Sequence, residues 1–214
     1  NEKYYRANGT VTEFSGHINA GTDLVAYSGH GSELSWYRFG YGATHLAGLT
    51  NVLDAPVVFG HCCLTGSFEA DDCFAEEWLE TTARALVYVG ASDSTGWYED
   101  DTFQRREFQW FWENPGTGVA EAVDFALQET VAVYPSMGEY YYMVYHVFGD
   151  PTVRLFPIPL DLQHTPLVDT ADRANPYAVH ATVTADSSPD AVTLYWRNAP
   201  GAAFTGVPMA VVKS

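Results

Sequence analysis

Three short apolar runs in the first half of the chain each stop at a glycine-rich corner. They cover residues 23–28, 56–62 and 85–90. Continuous apolar runs of this length are typical of strands that are buried on both faces of a parallel sheet.

Helical patterns lie between and after these runs, over residues 44–51, 71–82, 102–113 and 117–133. The last of them repeats apolar residues at the spacing of one helix face. Alternation of strands and helices predicts an α/β domain with a parallel sheet, in which ligands bind beyond the carboxyl ends of the strands. We therefore expect the corners after the three apolar runs to open on one edge of the sheet.

The last part of the chain changes character. Residues 178–184 and 191–197 alternate between apolar and polar positions, and residues 187–190 carry turn formers between them. This pattern predicts a β-hairpin that opens an immunoglobulin-like β-sandwich.

The domain boundaries follow from these changes. Residues 1–156 form the α/β domain, which ends in a further predicted strand at 152–156, and residues 157–165 form a proline-containing linker. Residues 166–214 are about half of the ~100 residues that a complete sandwich needs, so we expect a partial β domain there.

Composition excludes several classes of function. The chain has 214 residues, 27 acidic against 10 basic side chains and a formal net charge of −17. This charge excludes nucleic acid as a partner and disfavours anionic membranes. No apolar run reaches the roughly 20 residues that span a bilayer, so no membrane insertion is expected. If the charge favours any substrate, it favours a basic one.

The chain begins at Asn1 without an initiator methionine or a signal-peptide core, which suggests a processed piece of a longer polypeptide. Its three cysteines, Cys62, Cys63 and Cys73, are too few for a disulfide scaffold. Because their number is odd, at least one thiol should be free.

His30 and Cys63 are the main candidates for chemistry, since each follows a predicted strand in a glycine-flanked corner. An imidazole can generate a thiolate that attacks a carbonyl, and the backbone amides of Gly31 and Cys63 are placed in sequence to hold the resulting oxyanion. A buried structural cysteine and a histidine bound to a carbonyl group are the alternative.

The motifs around these residues resemble the gingipain family of bacterial cysteine peptidases. The likeness spans roughly residues 17–156 in the order of the family and is carried by the stretches 27–36, 60–68, 73–76, 90–97 and 145–151. The resemblance implies a caspase-like fold with His30 as the catalytic histidine. It also implies that the nucleophile is Cys63 rather than Cys62.

The chain departs from the family in two places. His61 stands where the family usually has asparagine; it is either a core residue that donates to a strand carbonyl or a second base, and we favour the core residue. The family's upstream acid, which orients the catalytic histidine, lies before the start of this chain. Asp23 and Glu33 are local substitutes for it, or else surface charges.

Trp97 resembles the family's aromatic lid over the substrate's P1 side chain. Asp100, within the acidic run 99–101, is then the best candidate to meet a basic P1 group. The alternative is that these acids cap a helix that starts near Thr102. Specificity for basic P1 residues is therefore a hypothesis.

We expect no required cofactor. Adjacent cysteines followed by a nine-residue gap match no standard zinc spacing. Glu69, Asp71 and Asp72, or the run 99–101, are candidates for structural calcium of the kind that gingipains hold on their surface, although no loop matches an EF-hand.

Together these features predict a secreted or cell-surface cysteine endopeptidase that acts on a protein or peptide. The missing N-terminal part of its domain would be supplied as a separate chain or propeptide. Two alternatives remain open: a transpeptidase or sortase-like processing enzyme, and a catalytically silent domain for adhesion or surface assembly.

Overall fold

A computed structural model describes residues 9–51, 54–69, 72–80, 84–156, 161–165, 178–184, 192–197 and 201–210. The chain divides into two compact units, Asn1–Pro157 and Ile158–Ser214.

The first unit alternates strands and helices. In chain order its elements are α1 (Val11–Asn19), β1 (Leu24–Ser28), β2 (Gly31–Ser32), β3 (Ser35–Trp36), β4 (Tyr41–Gly42), α2 (Ala43–Leu46), β5 (Val57–His61), α3 (Phe74–Glu80), β6 (Val87–Ala91), α4 (Trp97–Glu113), α5 (Val119–Val133), α6 (Pro135–Val144) and β7 (Tyr145–Gly149). None of the helices in the described ranges has the length and apolarity to cross a bilayer.

A four-stranded sheet in the order β1-β5-β6-β7 forms the centre of this unit. β1 and β6 run parallel to β5, and β7 runs antiparallel to β6. The three predicted parallel strands are therefore confirmed. Because β1, β5 and β6 run in one direction, the corners that follow them meet at the same edge of the sheet.

Helices cover both faces of the sheet, and alternate residues of each strand enter different cores. Val57 and Phe59 of β5 pack with α4, α5 and α6, whereas Val58 between them packs with α1, α2 and α3. In β6, Val87 and Val89 face the first core, and Tyr88 faces the second. Burial on both faces explains why these strands are continuously apolar in sequence.

Several predicted elements differ from the structure. The predicted strand 152–156 is wrong: its β-structure is limited to an isolated bridge between Arg154 and Gly118. The Asp150 carboxylate accepts hydrogen bonds from the amide and hydroxyl of Thr152 in a turn. The antiparallel strand of this region is β7, which follows the unpredicted helix α6. The predicted helix start near Thr102 is also wrong, since α4 begins at Trp97.

The second unit contains four described strands: β8 (Asp161–His164), β9 (Ala181–Thr184), β10 (Thr193–Trp196) and β11 (Thr205–Pro208). β9 pairs antiparallel with β8, and β10 pairs antiparallel with β11. The predicted hairpin between 178–184 and 191–197 is thus wrong in its pairing, although both strands form. Its turn at 187–190 lies outside the described residues. β8 also lies inside the predicted linker, and the immunoglobulin-like assignment stays a prediction.

Candidate active site

β1 brings His30 to the carboxyl edge of the sheet, two residues after the strand ends at Ser28. His30 is exposed, while its carbonyl oxygen accepts hydrogen bonds from the Tyr27 hydroxyl and the Tyr37 amide, each at 2.9 Å. Burial raises the pKa of Tyr27 to about 12, so this hydroxyl remains a donor at neutral pH. The imidazole is therefore presented on a fixed backbone and left open to solvent.

β5 brings Cys63 to the same edge. The chain turns sharply here, with the Cys62 amide donating to the Gly60 carbonyl at 2.9 Å and Leu64 in the left-handed region at φ 65°. Cys62 is fully buried, and burial raises the pKa of its thiol, whereas Cys63 is partly exposed. Of these two neighbouring thiols, only Cys63 is placed to meet a substrate.

The two corners contact each other through their backbones. The Gly29 amide donates to the His61 carbonyl at 3.4 Å. A β-carbon built on Gly31 would collide with the Cys63 carbonyl oxygen. Glycine therefore permits the close approach that brings His30 and Cys63 to neighbouring positions.

The Cys63 sulfur lies against Thr95, in the corner after β6. The Thr95 amide donates to Cys63 Sγ at 3.3 Å, and the carbonyl oxygen and Oγ1 of Thr95 each lie 3.7 Å from the sulfur. Within the described residues these Thr95 atoms are the sulfur's hydrogen-bond partners, and His30 is not among them. Hydrogen bonds between catalytic groups are often long in unliganded sites and tighten when substrate binds.

The amides of Gly31 and Cys63 are the predicted donors to an oxyanion, and this role stays a prediction. Gly31 lies opposite Trp36 in the antiparallel β2–β3 ladder. Because the Tyr37 amide donates to the His30 carbonyl, Gly31 and Trp36 are a pair that exchanges no backbone hydrogen bonds. The Gly31 amide consequently points away from β3. No described residue accepts a hydrogen bond from the Cys63 amide.

Trp97 lies at the start of α4, beside the imidazole. Its ring centroid is 6.5 Å from that of His30, and the residue is 65% exposed. An exposed indole next to the imidazole is the placement that a lid over a substrate side chain requires.

Asp100 lies three residues further along α4 and is 7% exposed. Its carboxylate accepts hydrogen bonds from the hydroxyls of Thr95 at 2.7 Å, Tyr141 at 2.8 Å and Tyr145 at 2.6 Å. The alternative role at the positive end of a helix stays open, because α4 starts at Trp97 and Asp100 lies in its first turn, although its observed partners are hydroxyl groups. Its contact with substrate stays a prediction, and its observed contact is with the loop beside the nucleophile.

No described carboxylate lies within salt-bridge distance of the His30 imidazole. Asp23 and Glu33, the predicted local substitutes for the orienting acid, are both exposed. Their backbone carbonyls accept hydrogen bonds from Val57 and Phe74.

His61 is buried, as predicted for a core residue, but its partner differs from the prediction. Its Nε2 lies 2.9 Å from Glu107 Oε2 of α4, instead of contacting a strand carbonyl. Burial raises the pKa of Glu107, while the contact with His61 acts in the opposite direction. This pair links the last residue of β5 to the helix that carries Trp97 and Asp100.

Sequence reasoning missed four residues around the site. They are Thr95, Glu107, Tyr141 and Tyr145. Two of them, Tyr141 and Tyr145, lie in the tyrosine-rich stretch 140–145, where nothing in the sequence separates a tyrosine that only fills the core from one that also supports a site. Thr95 was inside a predicted corner, but nothing local marked it as the neighbour of a thiol.

Among the described residues, no group of three or more His, Cys, Asp or Glu side chains is arranged to hold a metal ion. In the predicted calcium cluster, Asp71 lies outside the described residues, and Glu69 and Asp72 alone do not define a site. Structural calcium stays a prediction.

Curated relatives of the chain are peptidases from Porphyromonas gingivalis. Lys-gingipain HG66 is 35% identical over 86 residues, which are 39% of this chain and 5% of that protein. Gingipain R2 is 27% identical over 176 residues, which are 76% of this chain and 24% of that protein. The chain thus spans a quarter or less of the length of these relatives.

Solved structures and a family model complete the comparison. The crystal structure of the Arg-specific cysteine proteinase gingipain R matches with a TM-score of 0.67 and 25% identity, over 74% of this chain and 40% of that chain. The complex of the P. gingivalis RgpB pro- and mature domains matches at 24% identity with the same TM-score and coverage. These matches confirm the predicted caspase-like α/β fold. Because the model of peptidase family C25 matches residues 1–156, the chain belongs to this family of gingipain-like cysteine peptidases.

Proposed function

We propose that this chain is a cysteine endopeptidase with Cys63 as nucleophile and His30 as general base and acid. The observation that carries the proposal is the contact between their two corners, which the close approach of Gly31 to the Cys63 carbonyl makes possible. An open imidazole and a partly exposed thiol at one sheet edge are the groups that acyl transfer requires.

The acylation step uses both groups. His30 takes the thiol proton, and Cys63 Sγ forms a bond to the scissile carbonyl carbon. The carbonyl electrons move to oxygen, and the amides of Gly31 and Cys63 stabilise this oxyanion. When the oxyanion collapses, the carbon–nitrogen bond breaks and His30 gives its proton to the leaving amine, which leaves an acyl group on Cys63.

Water completes the reaction. His30 removes a proton from water as the oxygen attacks the acyl carbon, and the carbon–sulfur bond then breaks with the proton returning to sulfur. The products are a free carboxylic acid and the regenerated thiol. An amine that replaced water at this step would give transpeptidation.

The proposed substrates carry arginine or lysine at P1. The Asp100 carboxylate is buried and accepts hydrogen bonds from neutral hydroxyl groups. Among the described residues, no basic side chain forms an ion pair with it. A guanidinium or ammonium group beneath the Trp97 ring would supply the missing positive charge. The acidic net charge of −17 also attracts basic substrates.

Covalent labelling tests the proposal. Iodoacetamide and an arginyl chloromethyl ketone should both modify Cys63 rapidly, and His30→Ala should slow the labelling because the imidazole no longer assists thiolate formation. Intact-protein and peptide mass spectrometry measure the rate and the site. Labelling no faster than that of an ordinary thiol, and unchanged in His30→Ala, would favour a silent scaffold.

A peptide-library cleavage profile tests the P1 preference. Wild-type protein should cleave after arginine or lysine, and Asp100→Asn should lower kcat/KM for these substrates by about 10- to 100-fold, the scale of a lost charge-assisted hydrogen bond. Asp101→Asn is the matched control, because Asp101 is exposed on the same helix turn and should leave the profile unchanged. A wild-type preference for acidic or apolar P1 residues would contradict the hypothesis.

The setting of the enzyme is also proposed from its relatives. The RgpB structure contains a pro-domain bound to a mature domain, which supports a propeptide as a partner of this chain. The gingipain resemblance supports action outside the cell or at its surface. The proposed chemistry requires no cofactor.

A further inference from the structure

We propose that Thr95 is a further catalytic residue, whose backbone amide stabilises the Cys63 thiolate and whose hydroxyl is anchored by Asp100. This inference rests on the proposed function of Cys63 as the nucleophile. It assigns a role to a residue whose sequence context gave no sign of one.

The contact between Thr95 and the sulfur is directional. The amide nitrogen lies 3.3 Å from Cys63 Sγ and is oriented as a donor. A neutral thiol gains little as an acceptor, whereas a thiolate accepts a charge-assisted hydrogen bond of about twice the strength of a neutral one. The Thr95 amide therefore favours the anionic form of Cys63 that attacks the substrate.

Asp100 fixes the position of Thr95. The Thr95 hydroxyl donates to Asp100 Oδ2 at 2.7 Å, so its hydrogen is directed away from the sulfur. The other carboxylate oxygen accepts hydrogen bonds from Tyr141 of α6 and from Tyr145, the first residue of β7. Burial raises the pKa of both tyrosines, so both hydroxyls stay protonated and keep donating.

Tyr141 holds the next residue of the loop as well. Its hydroxyl accepts a hydrogen bond from the Gly96 amide at 3.0 Å and lies 3.0 Å from the Gly96 carbonyl oxygen. Thr95 and Gly96 are thus tied to α4 and α6, two helices that pack on the same face of the sheet. This arrangement keeps the Thr95 amide aimed at the sulfur before substrate arrives, which is the preorganisation that electrostatic catalysis needs.

The Asp100 carboxylate would then have two roles, in substrate specificity and in catalysis. Asp100, which we propose meets the P1 cation, is also the anchor of the residue that contacts the nucleophile. A substrate side chain bound at Asp100 therefore acts on the same carboxylate that places Thr95. The hydroxyl link should contribute to kcat more than to KM, since it positions reacting atoms rather than the substrate.

The test compares Thr95→Val with Thr95→Ser. Valine keeps the shape and the amide but removes the hydroxyl, whereas serine keeps the link to Asp100. We expect Thr95→Val to lower kcat about tenfold, with KM changing by less than about twofold, for a peptide with arginine at P1. The pH at which iodoacetamide alkylation of Cys63 reaches half its maximal rate should rise in this variant. Thr95→Ser should behave as the wild type in both assays.

The pH dependence of Cys63 alkylation isolates the effect of the Thr95 hydroxyl, because the other titratable groups near the sulfur are the same in Thr95→Val and Thr95→Ser. His30 belongs to the neighbouring corner, next to Gly31, and Tyr140 of α6 interacts electrostatically with Cys63 while hydrogen-bonding to Asp93. Burial, and secondarily the bond to Asp93, raise the pKa of Tyr140, which keeps this hydroxyl protonated. A difference between the valine and serine variants thus reports the hydroxyl link.

Two results would overturn the inference: a Thr95→Val variant that matches the wild type in kcat and in the alkylation profile, or one that changes KM alone. Circular dichroism on both variants separates misfolding from a local effect. Failure of the proposed function has a different signature, namely no peptide cleavage and alkylation that does not respond to His30→Ala. The alkylation profile still measures the effect of Thr95 on the thiol in that case.

Discussion

Replacing Cys63 with alanine is expected to lower kcat for peptide hydrolysis by about 10⁴- to 10⁶-fold, the range found when a nucleophile is removed from an acyl-transfer site. Without the sulfur no acyl-enzyme forms. The remaining reaction is the slow direct attack of water on the peptide bond, which the backbone amides at positions 31 and 63 can still assist. A fluorogenic peptide with arginine at P1 measures the rate, and the chloromethyl ketone measures covalent capture. Both signals should vanish together.

The adjacent cysteine provides the matched control. Cys62 is fully buried and carries a thiol whose pKa is raised by that burial, so it is a core residue in the structure. Cys62→Ala should leave hydrolysis and labelling within a few-fold of the wild type and lower the free energy of unfolding by about 1–2 kcal/mol. If Cys62→Ala abolished labelling while Cys63→Ala did not, the assigned nucleophile would be wrong.

The second large effect is expected for Gly31→Ala, with kcat/KM falling by about 100-fold, the loss that roughly 1 Å of misplacement causes. The added methyl group would meet the Cys63 carbonyl oxygen and stand 2.8 Å from Cys62 Sγ. Both contacts are too short, so the His30 and Cys63 corners must separate. The separation would also move the Gly31 amide away from the oxyanion.

Gly16→Ala is the control for this change, because no heavy atom lies within 4 Å of a β-carbon at that exposed helical position. It should keep full activity and gain up to about 1 kcal/mol of stability, since alanine favours helix more than glycine does. Thermal unfolding of both variants distinguishes local displacement from loss of the fold. Gly31→Ala with unchanged kcat/KM would show that the corners have room for the methyl group.

The central sheet was predictable because its signals are local. Each of β1, β5 and β6 is a short apolar run that ends at a glycine corner, and parallel strands must bring those corners to one edge. The end of the first unit was harder to predict. The tyrosine-rich stretch before β7 has no clear helical period, and the run 152–156 has strand composition but is held in a turn by Asp150.

Strand pairing in the second unit shows the same limit. The alternating pattern located β9 and β10 correctly, but it carries no information about partners. Adjacent strands joined by a turn form the simplest hairpin, yet β9 pairs with β8 and β10 with β11. Pairing depends on contacts between segments that are distant in sequence, and the pattern of one strand does not record them.

The sequence by itself determined the family, the parallel strands, and the two neighbouring corners that carry His30 and Cys63, because motif, apolar run and glycine corner are properties of contiguous residues. Only the tertiary structure decided what surrounds the thiol. Thr95 is 32 residues from Cys63, and Tyr141 and Tyr145 are 41 and 45 residues from Asp100, so their contacts exist only once α4 and α6 pack on the sheet and β7 has joined it. A hydrogen bond requires its two atoms to lie about 3 Å apart in space, whatever their separation along the chain. A polar network between distant segments therefore produces no pattern in the local sequence.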